Sequence, residues 1–311
     1  MSFTEEIINS SPIIRQPKDK PKAKKAQPFI QWVGGKRRLL DSYDPLFPKE
    51  FNNYYEPFLG GGAVFYHLEN KYKSTKKYFL SDLNQELIIT YRTLPKQYIA
   101  VQSLLHHMNM RHCKEFYLKV RNYDREEIKP KRYRKTKNIL EELTPIEIAA
   151  RFIYLNQTCF NSVYRVNSDG LFNVPYGRSD NKDISDNDTL IHCANALSLV
   201  DIKCQSYRFI QPQKTDLVFL DPPYAPVSAT SNFTSYTAEG FSLKDQVELK
   251  EFCDKLNQSG VYFMLANSNC EFIRDLYKDY NQHTFCLNRT LNSKAELRRQ
   301  TEDNEILITN Y

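Results

Sequence analysis

Leu217-Val218-Phe219-Leu220-Asp221-Pro222-Pro223-Tyr224 is the stretch that organises the chain. Its four consecutive apolar residues make a short strand buried on both faces, as in the interior of a parallel sheet. The strand empties into an acid and two prolines. Each proline fixes φ and removes an N–H donor, so the turn presents acceptors: the Asp221 carboxylate and the neighbouring carbonyls. A rigid turn capping a strand would account for Pro222-Pro223 alone, but poorly for an acid before them and an aromatic after.

Outward from this point the pattern is one of strands separated by helices. Toward the C-terminus, Ser242 is a plausible N-cap for a helix over 243–256, followed by a strand over 261–266. Residues 284–288 and 305–309 are suited to a closing antiparallel pair. Toward the N-terminus, a strand over 54–58 runs into Gly60-Gly61-Gly62, then a helix over 63–72 with Val64, Leu68 and Tyr72 on one face. A strand over 77–81 ending at Asp82 and a helix over 86–94 come next. This alternation predicts an α/β fold with a doubly wound, mostly parallel sheet and a terminal antiparallel pair. A polar, basic region over 95–200 interrupts it.

The glycine run directly after a strand lets the backbone pass close to a nucleotide-like ligand. Asp82, twenty residues beyond Gly62, stands where an acid would accept hydrogen bonds from ribose hydroxyls. The dinucleotide pattern G-x-G-x-x-G is not met, because Phe65 occupies its last glycine position. A phosphate loop is absent from the sequence too. The ligand implied is a nucleoside without a pyrophosphate, which S-adenosyl-L-methionine satisfies. Gln31-Trp32-Val33-Gly34-Gly35-Lys36 holds the only Trp of the chain beside a cation. Such a pair suits a ligand with an adenine ring and a carboxylate, and equally a structural turn.

The acceptors at Asp221 suit an exocyclic amine on a base, whose lone pair is delocalised into the ring. Acceptors gripping both N–H groups localise that pair and aim it at an electrophilic methyl. Tyr224 offers a face for the base to stack on, and a base inside a duplex must first be turned out.

Composition sets the remaining bounds. Apolar residues make up 41% of 311, enough for a core, and the net charge is +6. Between 106 and 137 there are eleven Lys/Arg against four acids, a local +7 with Tyr117, Tyr123 and Tyr133 interleaved. Such a block suits a polyanion or a solvated face in equal measure. Seven cysteines without a C-x-x-C pair argue for reduced thiols of a cytoplasmic protein and against a metal site, and the lack of an apolar run long enough to span a bilayer argues for a soluble protein without membrane association. Residues 1–27, with Lys18, Lys20, Lys22, Lys24, Lys25, Pro17 and Pro21, are expected to form a basic, flexible tail.

Trp32-Val33-Gly34-Gly35-Lys36, Phe58-Leu59-Gly60-Gly61-Gly62 and Asp221-Pro222-Pro223-Tyr224, in that order, resemble the motifs of the Dam-type (α-class, D12) DNA adenine N6-methyltransferases. The similarity runs from about Phe29 to the C-terminus. It implies a methyltransferase (Rossmann-like) catalytic domain from 28–94 and 201–311, with an inserted, mainly helical DNA-recognition domain with a β-hairpin at 95–200. Trp32, Lys36, Asp82 and Asp221 fall where the family binds S-adenosyl-L-methionine, with the backbone of Phe58, Leu59, Gly60, Gly61 and Gly62 beside it and Ser206 and Tyr207 near its adenine. The product is S-adenosyl-L-homocysteine. Asp221, Pro222, Pro223 and Tyr224 take the catalytic places.

Residues 155–178 look like the family's DNA-reading hairpin. Arg165 and Arg178 can fork onto guanine or hold phosphate, while Asn161, Asn167 and Asn173 suit adenine edges. Val163 or Pro175 can meet a thymine methyl, and Phe160 can wedge into the space left by a flipped base. Residues 225–234 are similar to the segment after the catalytic motif in enzymes that methylate adenine in GATC. The resemblance therefore implies double-stranded DNA as partner and leaves room for a cognate restriction endonuclease. Departures are Gly61 for a common Ala, Gln31 for a frequent Lys, Ser162 for a frequent Gly, Ser179 for an aromatic, and the basic block. Other readings are an N4-cytosine or RNA adenine methyltransferase, or an inactive DNA-binding protein of the same fold.

Overall fold

The structure, a computed structural model, describes residues 3–8, 25–73, 75–128, 132–135, 138–178, 184, 187–226, 241–286 and 304–311. The basic stretch 15–24, residues 227–234, Ser179, and Lys129, Lys131 and Lys137 of the basic block lie outside the described residues. The strands are β1 (Tyr54–Glu56), β2 (Tyr78–Asp82), β3 (Arg125–Ile128), β4 (Arg132–Lys135), β5 (Asp201–Cys204), β6 (Leu217–Leu220), β7 (Tyr262–Ser268), β8 (Asn281–Phe285) and β9 (Glu305–Thr309). The main helices are α1 (Phe3–Ile8), α2 (Ala63–Tyr72), α3 (Gln85–Met110), α4 (Lys114–Arg121), α5 (Pro145–Thr158), α6 (Asn187–Ala196), α7 (Leu243–Gln258) and α8 (Glu271–Leu276).

Two compact units make up the chain: Met1–Leu40, Gly60–Thr75 and Asn84–Cys204 form one, and Asp41–Leu59, Lys76–Leu83 and Gln205–Tyr311 the other. These boundaries divide the chain at other places than the 28–94, 95–200 and 201–311 expected from the motifs.

In the second unit the strands lie side by side in the order β2-β1-β6-β7-β9-β8. Pairing is parallel from β2 to β7, with Tyr54 opposite both Tyr78 and Leu217 and Leu220 opposite Leu265. β9 runs antiparallel to β7 and β8, the closing pair expected from sequence. β6 is buried at every position, as its four apolar residues require. α7 begins at a capping box in which Ser242 and Asp245 satisfy each other's end groups. Its buried residues Gln246, Leu249, Cys253 and Leu256 recur at helical spacing, and the last three join Val218, Leu220, Phe263 and Leu265 in one core.

The first unit is built on the packing of α3 against α5. α3 continues well past residue 94, where the sequence suggested an end. Pro95 removes one ladder bond and the helix kinks at Gln97 (φ −139°) instead of stopping. Arg151 on α5 is fully buried and reaches Glu86 on α3 at 3.2 Å and Asp124 at 3.1 Å.

The start of the chain is not a solvated tail. Phe3 and Ile7, one turn apart on α1, are both buried, and Phe3 packs edge-on against Tyr123 at 4.8 Å. The lysine-rich composition of 15–25 masks this short apolar stripe in the sequence. The Thr4 backbone N–H donates to Glu147 Oε1 at 3.0 Å, while Glu147 Oε2 accepts from the Thr144 backbone at 2.9 Å. Burial raises the Glu147 carboxyl, but these bonds outweigh it and hold it below the usual glutamate value of 4.5. Its stabilisation is therefore complete above 4.5 and is lost as pH falls toward the depressed folded value. Glu147→Gln is expected to remove this part of the acid dependence. Chemical denaturation across pH should show wild type and variant converging in acid; a pH-independent gap would contradict the assignment.

Candidate active site

Asp221, Pro222, Pro223 and Tyr224 leave the carboxyl end of β6, between β1 and β7. Asp221 and Tyr224 are half-buried, Pro222 is buried and Pro223 exposed. The turn is held by side chains far away in sequence. Gln246 Nε2 donates to the Pro223 carbonyl at 2.9 Å, and Asn267 Oδ1 accepts from the Ala225 N–H at 3.0 Å. Asn267 Nδ2 donates in turn to Gln246 Oε1 at 3.0 Å, and Ser268 Oγ donates to the Ala225 carbonyl at 2.7 Å. Gln246, Asn267 and Ser268 are buried, so the bonds of Asn267 and Ser268 to Ala225 and to Gln246 form away from competing water. The Tyr224 hydroxyl is buried as well; burial first, then the nearby Asp221 and Glu305 carboxylates, holds its phenol far above the ordinary value.

Neighbouring parallel strands supply the other acid and the aromatics of this unit. Asp82 ends β2 and is half-buried. After β1, the Leu59 N–H donates to the Ser81 carbonyl at 3.0 Å, and the Phe58 ring stacks on Tyr207 at 5.4 Å and 28°. Ser206 caps the turn carrying Tyr207, its hydroxyl accepting from Arg208 N at 3.3 Å. From β1 the chain turns to β2 on one side and later returns through β6 on the other. Such a reversal at the carboxyl ends is where open α/β sheets bind ligands.

The first unit brings the motif of residues 31–36 together with Gly60, Gly61 and Gly62. At Gly60 (φ +46°) an added Cβ would stand 2.6 Å from Trp32 Cδ1 and 2.7 Å from Nε1, so the indole leaves room only for glycine. The Tyr91 hydroxyl donates to the Gly60 carbonyl at 3.3 Å. Lys36 is buried and its Nζ donates to the Gly34 carbonyl at 2.6 Å. The Trp32 ring stacks with Tyr164 at 5.8 Å and 18°, and with Phe152 at 6.4 Å and 25°.

Tyr164 lies inside the segment expected to read DNA. There the backbone folds back on itself through antiparallel bridges Cys159–Tyr176 and Val166–Phe172, an irregular hairpin. A Cβ at Gly177 would fall 2.6 Å from the Cys159 carbonyl oxygen, so glycine permits the closure. Phe160 is 54% exposed, and Asn161, Arg165, Pro175 and Arg178 are exposed too; Val163, Asn167 and Asn173 are half-buried. Arg165 Nε donates to Asn173 Oδ1 at 2.8 Å, which aims the guanidinium. Asn167 spends its side-chain carbonyl on the turn, accepting from Asp169 N at 3.1 Å and Leu171 N at 2.9 Å. Ser162 has φ +52°, a left-handed conformation that explains why a glycine is at home there.

Sequence reasoning missed Gln246, Asn267 and Ser268, which shape the turn, and Glu86, Arg151 and Tyr164, which support the irregular hairpin. One signal was present: Gln246 is a polar residue on the otherwise apolar stripe of α7. The basic block is also less available to a polyanion than its count suggests. Arg111 is buried and bonds the Ile8 and His107 carbonyls, Arg121 reaches the Val174 carbonyl, and Arg125 pairs with Asp124 and donates to the Phe172 carbonyl. Among the described residues no His, Cys, Asp or Glu cluster could hold a metal, no helix is long and apolar enough to cross a membrane, and there is no disulfide.

The family described as D12 class N6 adenine-specific DNA methyltransferase matches residues 32–291. The type II methyltransferase M1.LlaDCHI of Lactococcus lactis subsp. cremoris is 38% identical, covering 92% of this chain and 95% of that protein. The type II methyltransferase M.MjaIII of Methanocaldococcus jannaschii is 36% identical, covering 92% and 99%. The DNA adenine methylase of Escherichia coli K12 is 30% identical, covering 90% and 94%. With a match that takes in every motif on which the site is built, the chain belongs to the D12 class of N6 adenine-specific DNA methyltransferases.

Proposed function

We propose that this adenine-specific methyltransferase acts on GATC in duplex DNA, on an adenine turned out of the helix, through Asp221, Pro222, Pro223 and Tyr224. The observation that carries the reading is the acceptor-rich turn after β6, held rigid by Gln246, Asn267 and Ser268. Asp221 and the Pro222 carbonyl accept the two N6–H groups, and the Tyr224 ring stacks on the base. Gln246 already donates to the Pro223 carbonyl, which supports Asp221 and the Pro222 carbonyl as the acceptors. S-adenosyl-L-methionine supplies an electrophilic methyl on sulfonium and leaves as S-adenosyl-L-homocysteine. Nitrogen gains the methyl and gives up one proton, which Asp221 is placed to receive.

The residues fit that cofactor. In the second unit Asp82, at the end of β2, suits ribose hydroxyls, while Phe58 and Tyr207 offer aromatic faces and Ser206 a hydroxyl for adenine, with the Leu59 backbone; in the first unit Lys36 and Trp32 suit the methionine end, with Gly60, Gly61 and Gly62 as close backbone. Base reading falls to Arg165, Arg178, Asn161, Asn173, Val163 and Pro175, with Phe160 filling the gap left by the flipped base. Asn167 holds the turn that carries them. Residues 95–200 then act as the recognition part of the chain. Two relatives are named type II methyltransferases, which supports a cognate restriction endonuclease as functional partner in a prokaryotic or phage-infected cytoplasm.

Arg165→Ala is expected to weaken discrimination at one base pair by about 1–3 kcal/mol. Binding to GATC and to single-substitution duplexes would measure it, and equal weakening on every duplex would make Arg165 a phosphate anchor. Sequencing N6-methyladenine across a genome that expresses the chain tests the target. Methylation concentrated at GATC is expected; any other motif overturns that assignment.

A further inference from the structure

Asn156 is fully buried on α5. An amide in a helix interior costs helix propensity and desolvation unless its polar atoms find partners. Here they do. The Gln31 N–H donates to Asn156 Oδ1 at 2.9 Å, while Asn156 Nδ2 donates to the Gln31 carbonyl at 2.8 Å and to the Ser162 carbonyl at 3.3 Å. One amide therefore grips both backbone groups of residue 31 and, with its second donor, the backbone of the irregular hairpin. Residue 31 immediately precedes Trp32, whose indole lies against Gly60. Ser162 lies in the turn between Phe160 and Arg165. Asn161 and Ser162 both hold positive φ, +55° and +52°, which side chains bearing a Cβ keep in succession only where the surroundings hold them. A second joint links the same two segments, because Trp32 stacks on Tyr164. All of these residues belong to the first unit.

We propose that Asn156 is a positioning residue shared by the loop over 31–36 and the DNA-reading hairpin: its amide sets Trp32 and Arg165 in one frame, so that loosening it degrades cofactor binding and base discrimination together. This rests on the roles proposed for Trp32 and Arg165. Asn156, being fully buried, acts only through them. Asn156→Asp keeps the size of the side chain and the acceptor for the Gln31 N–H. It removes both donors and sets an oxygen against the Gln31 and Ser162 carbonyls, so the clamp fails on both segments at once.

The test is steady-state kinetics and duplex binding of the full chain, for wild type, Asn156→Asp and Asn70→Asp. Asn70 is the control, because its amide holds the Ala26 and Tyr66 carbonyls at 2.8 and 2.7 Å instead of the hairpin. Asn156→Asp should raise KM for S-adenosyl-L-methionine about tenfold, and should lower the ratio of affinities for GATC and single-substitution duplexes about tenfold. Asn70→Asp should leave both within about twofold of wild type. Loss of folded protein lowers kcat on every duplex alike, so a fall in kcat with both other quantities unmoved would overturn the proposal. A change in only one of them, or equal changes in Asn70→Asp, would overturn it as well. Hydrogen exchange on wild type gives a readout that needs no variant to fold. S-adenosyl-L-homocysteine without DNA should slow exchange across the hairpin over 159–176 as well as over 31–36. Protection confined to 31–36 would overturn the shared role. If the wild-type chain bound no S-adenosyl-L-homocysteine, or bound GATC and substituted duplexes equally, the reading on which the proposal rests would fall instead.

Discussion

Asp221→Ala is expected to lower kcat for adenine methylation about a thousandfold while duplex binding stays within about threefold of wild type. The large effect follows from the chemistry of the amine. Its lone pair is conjugated with the ring, and the carboxylate is the one anionic acceptor in the turn that grips it. Without that acceptor, the charge developing on nitrogen has only the Pro222 carbonyl to meet it. The small effect on binding follows from the structure. Pro223 and Ala225 remain tied to Gln246, Asn267 and Ser268, so the turn keeps its shape when the carboxylate is removed. Transfer of labelled methyl measures the first quantity and a gel-shift titration the second. Turnover near wild type would sink the catalytic assignment; lost binding with it would mean that Asp221 shapes the fold instead.

Arg151→Met is expected to cost about 3–5 kcal/mol of stability, a fall in melting temperature of order 10 °C. Arg151 is fully buried between Glu86 and Asp124, and it also donates to the Val120 and Arg121 carbonyls at 3.2 and 3.1 Å. Burial already pushes the Glu86 carboxyl above the usual value of 4.5, against the pull of Arg151 and of the Tyr164 hydroxyl. Removing the guanidinium leaves burial with less opposition, so the folded variant holds the Glu86 proton more tightly than its unfolded chain does. That contribution is complete below 4.5 and is lost as pH rises. The variant should therefore be closest to wild type in acid and furthest from it at neutral pH. Glu86 also receives the Tyr164 hydroxyl at 3.1 Å, and Tyr164 precedes Arg165, so sequence discrimination should weaken along with stability. Equal melting temperatures at neutral pH would contradict this role for Arg151.

The parts of the fold legible in the sequence are those set by local pattern. β6 is four apolar residues ended by proline, and α7 announces its start by Ser242 with Asp245 three residues on; both fall where periodicity places them. β8 begins three residues earlier than expected, because Asn281, Gln282 and His283 lie on an edge strand that lacks buried alternation. The β3–β4 hairpin was hidden for a related reason: its strands are dominated by charge, with Glu126 opposite Arg134. At the candidate site, the motifs pick out the acid, the prolines and the glycines, because the role proposed for each rests on local backbone or its own functional group. What the motifs could not show is what holds them. Gln246 lies 23 residues beyond Pro223, and Asn267 lies 42 beyond Ala225. Such bonds exist only once α7 and β7 have packed, and no local signal encodes the pairing. Trp32 illustrates both sides. Its presence beside glycines was legible; its stacking on Tyr164, within the irregular hairpin, was not.

Nucleoside mass spectrometry tests the central claim most directly. A GATC duplex would be incubated with the purified chain and S-adenosyl-L-methionine bearing a deuterated methyl, then digested to nucleosides. The label is expected in N6-methyldeoxyadenosine, and is expected to vanish when the GATC adenines are already methylated on both strands. Label in N4-methyldeoxycytidine, or label appearing only when an RNA replaces the duplex, would contradict adenine methylation at GATC in duplex DNA.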